Sequence, residues 1–177
     1  MKYRTIVADP PWHVKAGPRS FHDQGERSRL LAYPTLSVAE IATLPVGGFA
    51  AVDAHLYLWT INAYVEDAFM VARAWGFKPS TLLVWCKAPK GRGMGGTFGL
   101  STEFVLFARR GTLAAKERCS RSWFQWTRGG HSQKPEAFLD LVESVSPGPY
   151  LELFARRNRL GWDTWGNEAL EHVAVVP

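Results

Sequence analysis

Cysteine is nearly absent: Cys86 and Cys119 are the only two in 177 residues, and they stand far apart. That excludes a disulfide scaffold and a Cys-x-x-Cys zinc site. Cys86 follows the apolar run Leu82, Leu83, Val84 and Trp85, where a thiol behaves as a small buried hydrophobe. No stretch approaches the ~20 apolar residues that span a bilayer, and Met1 to Asp9 lacks the apolar core and cleavage site of a signal peptide. A cytoplasmic protein is expected. There is no internal repeat, low-complexity tract or hinge-like linker, so residues 1–177 read as a single domain. The isolated histidines His13 and His131 have no second ligand at metal-binding spacing, and no metal is expected.

What is present is ordinary globular composition, 46% hydrophobic and 21% charged, with an excess of positive charge (+5) and eight tryptophans. At this length a chain buries roughly 70% of its unfolded surface, enough to stand without covalent staples. A basic surface with many aromatics suits a polyanion whose bases can be stacked, and equally suits a basic enzyme with a Trp-rich core.

Tyr3 to Ala8 is a short apolar run stopped by Asp9-Pro10-Pro11, which predicts a central strand. Residues 13–34 lack periodicity and read as a long loop carrying Lys15, Arg19, Arg27 and Arg29. Ser37 and Glu40 form a capping box for a short helix closed by Pro45, and Leu56 to Thr60 is a second strand. Asn62 is expected to cap a helix through Trp75, with Gly76 as the stop. Thr81 to Lys87 and Thr102 to Ala108 read as strands flanking the Gly-rich loop Ala88 to Gly99. Pro135 fits the first position of a helix ending at Ser146-Pro147-Gly148, after which Tyr150 to Phe154 is a strand and Trp162 to Asn167 follows a basic turn. Such alternation predicts an α/β domain with a mostly parallel sheet and helices on both faces, its ligands at the carboxyl ends of the strands.

Ala8-Asp9-Pro10-Pro11-Trp12 carries the most chemistry. Each proline lacks an N–H and biases the residue before it to extended backbone, so a stiff arm should leave the strand with its carbonyls free. A carboxylate beside free carbonyls, followed by a flat aromatic, suits a planar ring bearing an exocyclic amine. Asp9 and the Pro10 carbonyl would accept the two amine hydrogens while Trp12 stacks on the ring. Adenine and cytosine both present such an amine. Read alone, the same words also describe a proline-rich turn with a packing tryptophan.

Together with Tyr33-Pro34-Thr35-Leu36-Ser37, His55-Leu56-Tyr57-Leu58-Trp59-Thr60, His131-Ser132-Gln133-Lys134-Pro135, Leu151-Glu152-Leu153-Phe154-Ala155-Arg156 and Gly161-Trp162-Asp163-Thr164-Trp165-Gly166-Asn167-Glu168, this arm resembles a known family. The chain is similar to the Asp-Pro-Pro-Trp N6-adenine methyltransferases, which include the catalytic subunit of the mRNA adenine methylation complex and its bacterial and phage DNA relatives. The segments occur in family order over most of the chain.

The resemblance implies a class I, Rossmann-like methyltransferase fold in permuted order and transfer of a methyl group from S-adenosylmethionine to the N6 amine of adenine in nucleic acid. DNA is preferred over RNA on the small size of the chain. The alternatives are a non-catalytic nucleic-acid-binding partner of the same fold, or a protein amide N-methyltransferase. By resemblance Asp9, Pro10, Pro11 and Trp12 are catalytic. Lys134 meets the cofactor carboxylate, Arg156, Asn158, Asn167 and Glu168 hold its ribose, and Asp9 also touches the cofactor. An acidic contact to the cofactor's adenine, placed upstream in larger members, is expected to be absent or replaced. The basic residues Lys15, Arg27, Arg29, Lys87, Lys90 and Arg92, beside the strand ends, are expected to hold the nucleic-acid backbone with Trp12 under the base. So short a chain leaves little room for a recognition domain, which favours a dimer.

Overall fold

A computed structural model describes residues 1–13, 35–87, 97–127 and 133–166. Their strands are β1 (Tyr3–Ala8), β2 (Ala50–Thr60), β3 (Lys78–Lys87), β4 (Thr102–Arg110), β5 (Trp123–Trp126), β6 (Tyr150–Leu153) and β7 (Trp162–Trp165). The helices are α1 (Val38–Thr43), α2 (Val46–Phe49), α3 (Val65–Ala74) and α4 (Glu136–Val145). The strands form one sheet in the order β5-β3-β4-β2-β1-β6-β7. Only β4 runs against its neighbours; the β1–β2, β1–β6, β3–β5 and β6–β7 pairs are parallel.

Strand alternation divides the core between the two faces. Ile6, Ala8, Leu56, Leu58, Leu106 and Leu151 join Ile41 of α1 and Val71 of α3 on one face. Val7, Tyr57, Trp59 and Val105 meet Phe138, Leu139 and Val142 of α4 on the other. Helices therefore cover both faces of a mostly parallel sheet, the Rossmann-like arrangement expected.

Local chemistry accounts for the ends of several elements. Ser37 accepts from the Glu40 N–H while the Glu40 carboxylate accepts from Ser37 N–H, so the capping box is present. Gly76, at φ +83°, closes the turn after α3, where the Phe77 N–H reaches the Ala72 carbonyl. Asn62 does not cap α3. It begins a 3-10 turn, Asn62–Tyr64, and α3 starts at Val65 with no side-chain cap. Pro135 precedes α4 with extended backbone and is its cap, one residue earlier than expected. Strands β2, β3 and β4 run longer than the apolar runs that announced them, because sheet pairing extends into polar residues.

The sheet also defines where a ligand can lie. From β1 the chain crosses to β2 on one side; from β6 it continues to β7 on the other. The crevice at the carboxyl ends of β1 and β6 is thus a topological switch point, the place where open α/β sheets bind ligands. Asp9 follows β1 directly, and its N–H points at the Leu153 carbonyl of β6 across 3.4 Å. No helix among the described residues is long and apolar enough to cross a membrane.

Candidate active site

Asp9 and Lys134 meet at the switch point. Lys134 Nζ donates to Asp9 Oδ2 at 2.7 Å and lies 3.5 Å from Glu103 Oε2. Glu103 in turn pairs with Lys87 at 2.5 Å, so four charges alternate across β1, the start of α4, β4 and β3. Tryptophan rings lie beneath both cations: Lys134 Nζ is 5.0 Å from the Trp59 centroid and Lys87 Nζ 5.6 Å from that of Trp85. Burial pulls the Lys134 ammonium toward deprotonation, but Asp9 and then Glu103 outweigh it and raise its pKa above the ordinary value. Lys134 is a held cation in the crevice, not a solvated residue at a helix end.

The proline arm is more constrained than its sequence suggests. The Pro10 carbonyl accepts from the Trp12 N–H at 2.8 Å and the Pro11 carbonyl from Leu36 N–H at 3.0 Å, so neither is free. A carbonyl has two lone pairs, and each retains one acceptor position. Trp12 itself is a core residue, 5% exposed, with its indole N–H donated to the Trp59 carbonyl at 2.9 Å and its ring stacked on Tyr64 at 5.3 Å. The expected platform for a base is corrected on this ground: a ring so enclosed fixes the arm and leaves no face for a substrate. Lys87, expected to contact the nucleic-acid backbone, is paired with Glu103 and lies over the Trp85 ring.

On the β6 side, Phe154 turns the chain out of the strand at φ +62°, a left-handed conformation that costs about 1 to 2 kcal/mol for a residue with a side chain. A Cβ on Gly166 would stand 2.3 Å from the Ala155 carbonyl, so only glycine permits this close approach. Arg156 follows at the crevice, half-buried. Asn158 is exposed, and its Oδ1 accepts from the Thr164 hydroxyl at 3.0 Å, which ties the turn to β7. Lys15, Arg27, Arg29, Lys90, Arg92, His131, Asn167 and Glu168 lie outside the described residues.

Two carboxylates were missed by sequence reasoning. Glu103 links Lys134 to Lys87, and Glu152 sits in β6 opposite Val7 with Oε2 buried and without a partner among the described residues. Burial pushes the Glu152 carboxyl up to about 7, with Asp9 adding to the rise and Arg157 and Arg159 opposing it. The signal for both was an acidic residue inside an otherwise apolar strand pattern.

The MT-A70 family model matches residues 3–168. The chain belongs to this family. It is 33% identical to a type II methyltransferase of a Mycoplasma species, over 99% of this chain and 82% of that protein. It is 28% identical to an N6-methyladenosine RNA methyltransferase of Cryphonectria parasitica, over 94% of this chain and 51% of the relative. A human N(6)-adenine-specific methyltransferase is 26% identical, with 96% and 38% covered. The chain thus spans most of the first relative and about half or less of the other two. It is a member of a methyltransferase family with the matching Rossmann-like fold.

Proposed function

We propose that this chain transfers the methyl group of S-adenosylmethionine to the N6 amine of adenine in nucleic acid, with DNA preferred over RNA. The observation that carries the reading is the juxtaposition of Asp9 and Lys134 at the β1–β6 switch point. Similarity to a type II methyltransferase along nearly the whole chain supports DNA, because type II enzymes modify DNA.

The residues present fit a zwitterionic cofactor. Lys134 offers an ammonium to a carboxylate, and Glu152 Oε2, buried and without a partner among the described residues, offers an acceptor to an amine. Arg156 and Asn158 follow β6, where a ribose would lie, and Asn167 and Glu168 are assigned there by family likeness. S-adenosylmethionine supplies an electrophilic methyl on a sulfonium.

The exocyclic amine of adenine is a poor nucleophile because its lone pair is delocalised into the ring. Asp9 and the remaining lone pair of the Pro10 carbonyl would accept its two hydrogens, favour rehybridisation and stabilise the positive charge that develops on nitrogen. Once the nitrogen carries that charge its N–H is strongly acidic and one proton passes along the hydrogen bond to Asp9 and on to water, so Asp9 need not be a strong base. Lys134 holds one carboxylate oxygen and sets its direction, while Trp12, locked to Trp59 and Tyr64, keeps the arm from moving. Lys15, Arg27, Arg29, Lys90 and Arg92 are kept as the cationic segments that hold the strand while the base swings in.

The test is incubation with methyl-labelled S-adenosylmethionine and a panel of single- and double-stranded DNA and RNA, followed by nucleoside analysis. Label in N6-methyladenine, greater on DNA, is expected. Label in cytosine or in protein, or cofactor binding with no transfer, overturns the reading. Residues 1–177 are taken as one methyltransferase unit working as a dimer, which light scattering checks.

A further inference from the structure

The face of the sheet that carries α4 is not fully covered by that helix. Beneath the carboxyl half of α4, toward the starting ends of β2 and β3, the segment from Thr112 to Ser122 arches over a cavity of about 720 Å³. Its position separates it from the crevice at Asp9. Glu103 and Arg109 mark the two ends on β4, and six residues of strand span roughly 20 Å.

The wall and the mouth differ in chemistry. Leu83, Phe107, Leu113 and Phe124 make an apolar and aromatic wall. His55, Tyr57 and Ser146 form a closed polar chain behind it. Burial, with Arg109 adding to it, lowers the His55 pKa and keeps the ring neutral. Nε2–H then donates to the Leu113 carbonyl at 3.1 Å, Nδ1 accepts from the Ser146 hydroxyl at 2.7 Å, and the Tyr57 hydroxyl donates to Ser146 Oγ at 2.7 Å. Every hydrogen in that chain is used, so the Ser–His pair is a rigid support and not a nucleophile. At the mouth stand Arg109, Arg118 and Arg121 against the single carboxylate of Glu117. None of the three arginines is in a salt bridge among the described residues. Arg121 lies 5.7 Å over the Phe124 ring, which also stacks on Trp126 at 4.7 Å, so Phe124 is covered and holds a guanidinium beside the half-buried Phe107.

We infer that this cavity is a second, non-catalytic site for a nucleoside phosphate, with the base against the half-buried Phe107 and Leu83 and the phosphate at the arginines. The size falls within the range of small-molecule pockets, and the surplus of unpaired guanidinium at an aromatic slot selects a flat body with an anionic head. Two sources carry that chemistry: a free mononucleotide, or an unpaired nucleotide of a bound strand. The inference is independent of methyl transfer, because it is read as binding alone.

Calorimetry on the full chain, saturated with S-adenosylmethionine to block the crevice, tests it with thymidine monophosphate, which has no exocyclic amine and is no substrate. Thymidine monophosphate should bind, while thymidine and inorganic phosphate each bind at least about tenfold more weakly, the loss of one charge-assisted or stacking contact. The Arg109→Ala/Arg118→Ala variant should lose about tenfold or more in affinity, and Leu83→Trp, which fills the slot without touching charge, should lose binding as well. A thymidine oligonucleotide that displaces the mononucleotide identifies a strand as the source; failure to displace identifies the free nucleotide. Absence of binding at millimolar concentration, equal affinity of the arginine variant, or equal affinity of inorganic phosphate overturns the inference.

Discussion

Lys134 Nζ lies 2.7 Å from Asp9 Oδ2, joining the end of β1 to the start of α4 across 125 residues of sequence. One cation therefore holds two carboxylates, Asp9 and Glu103, and in the proposed function meets a third, that of the cofactor. Lys134→Ala is expected to raise the dissociation constant for S-adenosylmethionine by about tenfold or more, since a charge-assisted bond is worth ~1.5 to 3 kcal/mol. It should also lower transfer at saturating cofactor, because Asp9 loses its tether. Calorimetry combined with single-turnover kinetics separates the two, and unchanged values in both would remove Lys134 from the site.

Asp9→Ala should abolish transfer while weakening cofactor binding much less, because its contacts to the amine matter most in the transition state. Retention of more than about a tenth of the wild-type kcat, a cost under ~1.4 kcal/mol, is incompatible with the assigned role.

Trp12→Ala should act on stability. Removing a buried indole with its hydrogen bond to Trp59 is expected to cost about 3 to 5 kcal/mol in chemical denaturation. Trp12→Phe should keep most of the packing and transfer activity. A variant with unaltered stability and weakened nucleic-acid binding would restore Trp12 as a base platform.

The pH dependence of Glu152 has a definite sign. Its folded pKa, about 7, lies above its ordinary 4.5. As pH rises through that window the unfolded chain releases the proton first, so stability falls between the two values and the full cost is present above 7. The difference between the two values corresponds to about 3 kcal/mol as an upper bound. Glu152→Gln should therefore gain stability over wild type at pH 8 and match it near pH 4, as read by urea midpoints. Equal curves at both pH values would show that the carboxylate is solvated or paired.

Lys87 is committed to Glu103, so Lys87→Gln should leave the slope of log affinity against log salt unchanged. A phosphate contact would contribute about 0.9 to that slope on duplex DNA. A drop of this size returns Lys87 to the nucleic-acid interface.

The sequence by itself was sufficient for the features that depend on neighbours along the chain. The Ser37–Glu40 capping box, the Gly76 stop, the proline arm after β1 and the alternation of strands and helices all follow from local sterics and hydrogen-bonding options. Family resemblance added the proposed role of Lys134, which charge and spacing alone leave as an ordinary lysine at a helix start. The missed elements were short or polar. The four residues of β5 become a strand only because β3 offers an edge, and α2 holds two glycines. Tertiary structure decided what is remote in sequence: that β1 lies between β2 and β6, that Asp9 faces Lys134 and Lys87 faces Glu103, and that Trp12 turns into the core rather than toward a substrate. The reason is physical. A carboxylate, an ammonium or an indole carries the same local preferences wherever it stands, and only the packing of the sheet determines which groups share a low-dielectric crevice and which are left with no partner.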